Sequence, residues 1–226
     1  MNIQYDETHF RQFECSQHKK QKAVGQPPAA WFDRFGLDEL PHELPKNLLT
    51  REQVFELCCD PKVAVLKGYV CTMAWGGQGS QRGGKQHVKA AWAARSKIAD
   101  ILERIRSEQL TREQAYDLFC GEGAIPGLAP AFFTKLLYFF RPGKDCYIMD
   151  QWTSKSVNLL TGRPIVRLAG SPHRSNTGDA YRLFCEIVDD LADRLQTDGS
   201  DIEERLFSKG GRKKADWRAY VVKHWK

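Results

Sequence analysis

The 226 residues suffice for one ordinary domain or for two lobes around a shared cleft. A hydrophobic fraction of 42% and a charged fraction of 27% exclude a chain too polar to bury a core. A net charge of +6 with a pI near 8.9 suits a polyanionic partner without identifying one.

The first 15 residues, MNIQYDETHFRQFEC, lack a basic-then-apolar leader pattern, and no apolar run is long enough to span a bilayer. A cytoplasmic protein with no membrane contact is the expectation. Seven cysteines stand at 15, 58, 59, 71, 120, 146 and 185, with no C-x-x-C pair. That spacing offers neither a zinc site nor an iron–sulfur set, so the thiols are expected reduced and no cofactor or metal is expected.

Residues 1–48 are expected to form an N-terminal arm and anchor. They carry a basic cluster, His18-Lys19-Lys20-Gln21-Lys22, breaks at Pro27, Pro28, Pro41 and Pro45, and an apolar anchor of Trp31, Phe32, Phe35 and Leu37. Residues 49–226 are expected to form the main helical domain. It opens on an internal echo, because Leu49-Thr50-Arg51-Glu52-Gln53 resembles Leu110-Thr111-Arg112-Glu113-Gln114. In each, Thr followed three residues later by Gln is a capping box ahead of a short helix.

Val63, Leu66, Val70 and Met73 recur at helical spacing, which predicts a buried helix over 62–75. The stretch 76–86, GGQGSQRGGKQ, holds five glycines and reads as a flexible polar strip with Gln78 and Lys85 at hand for DNA. A solvent-exposed linker is the plainer reading. One long helix is expected over 87–108. Tyr181, Phe184, Cys185, Val188, Leu191 and Leu195 mark another, and Ser200-x-x-Glu203 reads as a capping box for a short one. Lys209–Lys214 form a basic turn before a final helix with Trp217 and Trp225. Strand patterns are too short to build a sheet, so the fold class is all-α with roughly eight to ten helices.

The chemistry concentrates in 121–162. A Gly/Pro turn, Ile125-Pro126-Gly127-Leu128-Ala129-Pro130, leads into the apolar segment Ala131-Phe132-Phe133-Thr134-Lys135-Leu136-Leu137-Tyr138-Phe139. Such a turn presents backbone N–H groups that can hold a phosphate. Asp150 then stands before the segment Gln151–Leu160, where it serves as an N-cap, as a catalytic carboxylate, or as both.

This order of hairpin, helix, loop, Asp and helix resembles the helix-hairpin-helix, Gly/Pro-rich, Asp superfamily of DNA glycosylases, in its bacterial 8-oxoguanine-glycosylase-like branch. The resemblance is firm over 120–160 and elsewhere rests on the helical outline. It implies two helical lobes with the active site in the cleft between them. It further implies double-stranded DNA containing a modified base as partner, and release of that base by N-glycosidic cleavage to leave an abasic site. Carried over by position, the hairpin is Pro126, Gly127, Leu128, Ala129 and Pro130, and the catalytic aspartate is Asp150.

Two departures stand out. The lysine nucleophile of the bifunctional members falls on Ala131 here, and the nearest lysine is Lys135, one turn further along the same face. Helical side chains lean toward the N-terminus, so Lys135 reaches back toward position 131. It is either a displaced imine-forming nucleophile or a contact to phosphate or to Asp150, in which case water attacks. The second hairpin glycine is replaced by Ala129, a penalty if that position needs positive φ. Gln151 and Lys155, just past Asp150, are further candidate DNA contacts. Lys144, Arg163, Arg167, Arg174 and the Lys209–Lys214 turn are candidates for a phosphate rim.

Two substrate classes fit the resemblance: 8-oxoguanine in repair, or a hypermodified and even glycosylated base of phage DNA in antiviral defence. Small Ala131 and the glycine strip would leave room for the bulkier base. A non-catalytic helix-hairpin-helix DNA-binding module and an all-α protein-interaction domain are the alternatives from other classes. A monomer is expected.

Overall fold

The computed structural model describes residues 3–18, 20, 23–39, 43–79, 83–210 and 212–225. Its described residues form twelve α-helices: α1 (Glu7–Cys15), α2 (Pro28–Phe35), α3 (Arg51–Cys59), α4 (Val65–Trp75), α5 (Gly84–Ala93), α6 (Arg95–Ser107), α7 (Arg112–Asp117), α8 (Pro130–Phe140), α9 (Gln151–Thr161), α10 (Gly178–Leu195), α11 (Gly199–Phe207) and α12 (Asp216–His224). The sole strand pairing among them is a two-residue antiparallel ladder, Leu168–Ala169 with Ser171–Pro172. The protein is all-α.

Two groups of helices share the core. α2, α3, α5 and α6 pack around α4, and α3, α4 and α6 also pack on α8. α7, α9 and α11 pack on α10; α9, α11 and α12 pack on one another; and α1 closes on α9. Helix α8 touches both groups, because an almost wholly apolar segment can bury every face. Phe133, Leu136, Leu137, Phe139 and Phe140 are all buried.

The described residues of the stretch 1–48 pack on the other helices through α1 and α2. In α1, Phe13 is fully buried edge-on against Trp217, and the Asp6 amide donates to the Leu160 carbonyl at 2.8 Å. In α2, fully buried Trp31 packs on Phe35 and donates to the Gln78 carbonyl at 2.9 Å. Apolar rings of this size gain about 1.5–3 kcal/mol each by burial, which draws the segment into both lobes. Of the basic cluster, residues 19, 21 and 22 lie outside the described residues, as does Pro41.

The two capping boxes form as the sequence predicts, at Thr50/Gln53 and at Thr111/Gln114. Three expectations fail for tertiary reasons. The helix over 87–108 is two, broken at Ala94 (φ −97°, ψ 22°), where Trp92 donates to the Asp38 carbonyl and Arg95 pairs with Glu39. The capping box at Ser200/Glu203 does not form. α11 starts two residues earlier, Asp198 accepts from the Asp201 amide at 2.7 Å, and Glu203 turns into the protein. The glycine strip is also not a free loop throughout: Gly84 begins α5 and Gln78 is fully buried. Gln81 and Arg82 lie outside the described residues.

Candidate active site

The hairpin places its left-handed residue where the sequence can tolerate it. Gly127 has φ +76°, and a Cβ there would lie 2.1 Å from the His87 carbonyl oxygen of α5. Ala129 has φ −87° and ψ 167°, an extended N-cap of α8 that any residue adopts, so its replacement of glycine carries no backbone strain. The turn is braced from both sides: Gln78 donates to the Gly127 carbonyl at 3.3 Å and Arg174 to that of Ile125 at 3.4 Å. The amides of Gly127, Ala129 and Ala131 donate to no acceptor among the described residues. Three open donors at a helix N-terminus suit an anionic oxygen.

Behind the hairpin, a cavity of about 250 Å³ opens between the two helix groups. Its wall includes Gly76 and Trp75 at the end of α4, Lys135 of α8, Asp150 before α9, Arg51 of α3, and Glu203 and Phe207 of α11. Lys135 is buried, and its Nζ donates to the Ala131 carbonyl at 2.6 Å, one turn back along α8. The lysine therefore occupies the space beside position 131, as the lean of helical side chains predicts. Gly76 makes room for it, since a Cβ there would come within 2.6 Å of the lysine Cδ. Burial holds the Lys135 pKa below that of an ordinary lysine; the Asp150 and Glu203 carboxylates pull it back up and Arg51 adds to the lowering.

Asp150 is an N-cap as well as a cavity residue. Its Oδ1 accepts from the Trp152 amide at 2.7 Å and from the Thr153 amide at 3.0 Å. Thr153 Oγ1 accepts from the Asp150 amide at 2.9 Å and donates to the Ile148 carbonyl at 2.8 Å. The two amides at the start of α9 hold this oxygen in place. Its position relative to Lys135 is fixed by their neighbours: Thr134 Oγ1 donates to the Pro130 carbonyl at 2.7 Å and accepts from the Met149 amide at 3.1 Å.

The remaining wall was hidden from sequence reasoning. Arg51 is buried, with its guanidinium 4.4 Å from the Tyr138 ring centroid and 5.6 Å from that of Trp75, and it is paired with Glu203. Burial opposes its charge, but Glu203 more than offsets this and holds the arginine pKa above its ordinary value. Burial pushes Glu203 up against the pull of Arg51, to about 7. Arg218 of α12 lies over the Trp152 ring at 3.9 Å and donates to the Phe207 and Ser208 carbonyls, which fixes Phe207 at the cavity. Its pKa falls to about 10 through burial, against the pull of Asp150. The one signal for Glu203 was an acid set against the apolar positions Ile202 and Leu206 of a short helix.

A family described as "Putative 8-oxoguanine DNA glycosylase OGG-like protein" matches residues 17–207. The chain belongs to this OGG-like family. The match spans most of the chain and takes in the hairpin, Lys135, Asp150, Arg51 and Glu203. No curated protein and no solved structure matches it.

Within this OGG-like member, the structure brings the hairpin, Lys135 and Asp150 to one end of α8. Lys85 is exposed in the first turn of α5, the helix whose His87 carbonyl lies against the hairpin. Gln151 is half-buried in the first turn of α9, and the Lys155 ammonium lies 4.8 Å from the Trp152 ring centroid and 5.7 Å from that of Trp225. Gln78 is a correction: full burial makes it a brace for the hairpin rather than an exposed groove contact. Ala131 likewise does not line the cavity, because Lys135 covers it. Lys209, Arg212, Lys213 and Lys214 are exposed just past Phe207 and form no ion pair among the described residues. No group of metal-ligating side chains occurs among the described residues, and no helix among them is long and apolar enough to cross a membrane.

Proposed function

We propose that this OGG-like protein flips an oxidised guanine out of duplex DNA and cleaves its N-glycosidic bond. The observation that carries the reading is the meeting of desolvated Lys135 and helix-capping Asp150 in one cavity behind three open hairpin amides. The amides take a phosphate beside the flipped nucleotide, and base-edge contacts offset the few kcal/mol of extrusion.

Departure of the base breaks the bond from C1′ to the base nitrogen and leaves oxocarbenium character on the sugar. Asp150 stabilises that charge in a site with little water. Lys135 Nζ, as the free amine, forms the new bond to C1′ and gives up a proton to the departing base. The C1′–O4′ bond then breaks, the remaining Nζ proton passes to O4′, and the imine C1′=Nζ forms. Water attacking at C1′ is the other route, and borohydride trapping separates the two.

Repair-type substrates are favoured over glycosylated bases by volume. A cavity of about 250 Å³ lies below the usual range of about 300–1,000 Å³ for ligand clefts, and suits a bare ring system. The test is mass spectrometry of bases released from duplexes with 8-oxoguanine and from phage DNA with hypermodified bases. Release from the first alone is expected; release from phage DNA alone would move the function to defence. A protein that binds both DNAs and releases nothing is a non-catalytic module.

A further inference from the structure

Glu203 has no part in the bond cleavage above, yet it is the most deeply buried carboxylate on the cavity wall, at 2% exposure. Arg51 takes its Oε2, while its Oε1 receives no hydrogen bond among the described residues. Lys135, the other cation on the wall, gives its bond to the Ala131 carbonyl and forms no ion pair with Glu203. A buried acid on this wall repels phosphate, so its free oxygen suits the hydrogen-bond donors of a base. The place is held with some rigidity, since Arg51 is stacked on Tyr138 and Trp75. Trp75, Phe207 and Ile148 around it supply flat or apolar surfaces against which a ring can stack.

We infer that Glu203, held in place by Arg51, reads the Watson–Crick edge of the flipped base and selects guanine-type bases by accepting their adjacent N1–H and N2–H donors. The inference rests on the glycosylase reading and names its substrate class. Only guanine-type bases offer two neighbouring donors on that edge. Against Glu203 in the ionised form that its Arg51 partner favours, adenine and cytosine each set a ring-nitrogen lone pair beside their amino group, which faces the carboxylate and leaves it unpaired. A site built to accept specific hydrogen bonds rejects the analogue lacking them, because its buried group is then unsatisfied.

The experiment compares two steps that differ only in the need for a base. Glu203→Gln is expected to lower 8-oxoguanine release by about tenfold or more, while borohydride trapping on DNA with a preformed abasic site persists, with its pH midpoint moved down because a carboxylate that raises the Lys135 pKa is lost. The trapping reports at once that the variant is folded and that Lys135 is in place. Unchanged base release in Glu203→Gln overturns the inference, and so does parallel loss of release and trapping in a variant whose thermal unfolding matches wild type. A second arm needs no variant: wild-type protein should release 8-oxoguanine about tenfold faster than 8-oxohypoxanthine, which lacks the N2 amino group, and equal rates overturn the inference. Wild-type protein that releases only a cytosine-derived base refutes this edge reading and keeps the glycosylase. Wild-type protein that neither releases nor traps refutes both.

Discussion

Helices α3 and α7 begin with nearly the same residues, Leu-Thr-Arg-Glu-Gln at 49–53 and at 110–114, and their caps are almost superimposable in chemistry. Thr50 Oγ1 accepts from the Gln53 amide at 3.2 Å and Thr111 Oγ1 from the Gln114 amide at 3.2 Å; the glutamines answer at 2.9 and 2.8 Å. The arginine in each then goes a different way. Arg51 is buried at the cavity, stacked on Tyr138 and paired with Glu203. Arg112 is partly exposed, bonds Asp189 at 2.7 Å and the Asp145 carbonyl at 2.7 Å, and ties α7 to α10 and to the segment before α9. A local motif sets where a helix starts. What its first side chain does is set by the neighbour the helix packs on: α4 and α8 for α3, α10 for α7.

That contrast can be broken or sharpened by experiment. The largest effect belongs to the cavity that α3 reaches and α7 does not. Asp150→Asn should lower base release by about 10²–10³-fold while duplex affinity is kept, checked by single-turnover release and gel shift. Lys135→Met should abolish the borohydride adduct with abasic DNA. In wild type, trapping should rise with pH as the ammonium loses its proton, with a midpoint below the 10.5 of ordinary lysine because burial disfavours the charge.

The paired arginines come next. Arg51→Met leaves Glu203 buried without its partner and should cost about 3–5 kcal/mol in urea denaturation, with base release lost. Arg112→Met, at a partly exposed pair, should cost about 1 kcal/mol and leave base release intact. Equal losses of release in the two variants would erase the distinction. The smallest effect tests the likeness: Thr50→Ala and Thr111→Ala should each cost about 1 kcal/mol, and by similar amounts.

Much of the site was legible because its signals are local. The turn Pro126-Gly127, the N-cap role of Asp150 and the backward lean of Lys135 all follow from residues within a few positions of one another, and each is found in the structure. Ala129 was read as penalised if its position needs positive φ, and the three-dimensional turn shows that Gly127 alone carries positive φ there. Gln78 and Glu203 were misplaced for one shared reason. A polar side chain beside glycines, or three residues after a serine, reads as solvent-exposed or capping until the partner that buries it is known. For Gln78 that partner is the hairpin carbonyl; for Glu203 it is an arginine 152 residues away.

The sequence by itself determined the helical class, both capping boxes, the hairpin and the aspartate behind it, because periodicity, caps and turns are short-range physics. Only the tertiary structure decided which charges share the cavity. Bringing Arg51, Lys135, Asp150 and Glu203 together depends on two helix groups closing on α8, and that closure is driven by burial of apolar rings whose pattern says nothing about the polar groups carried along with them.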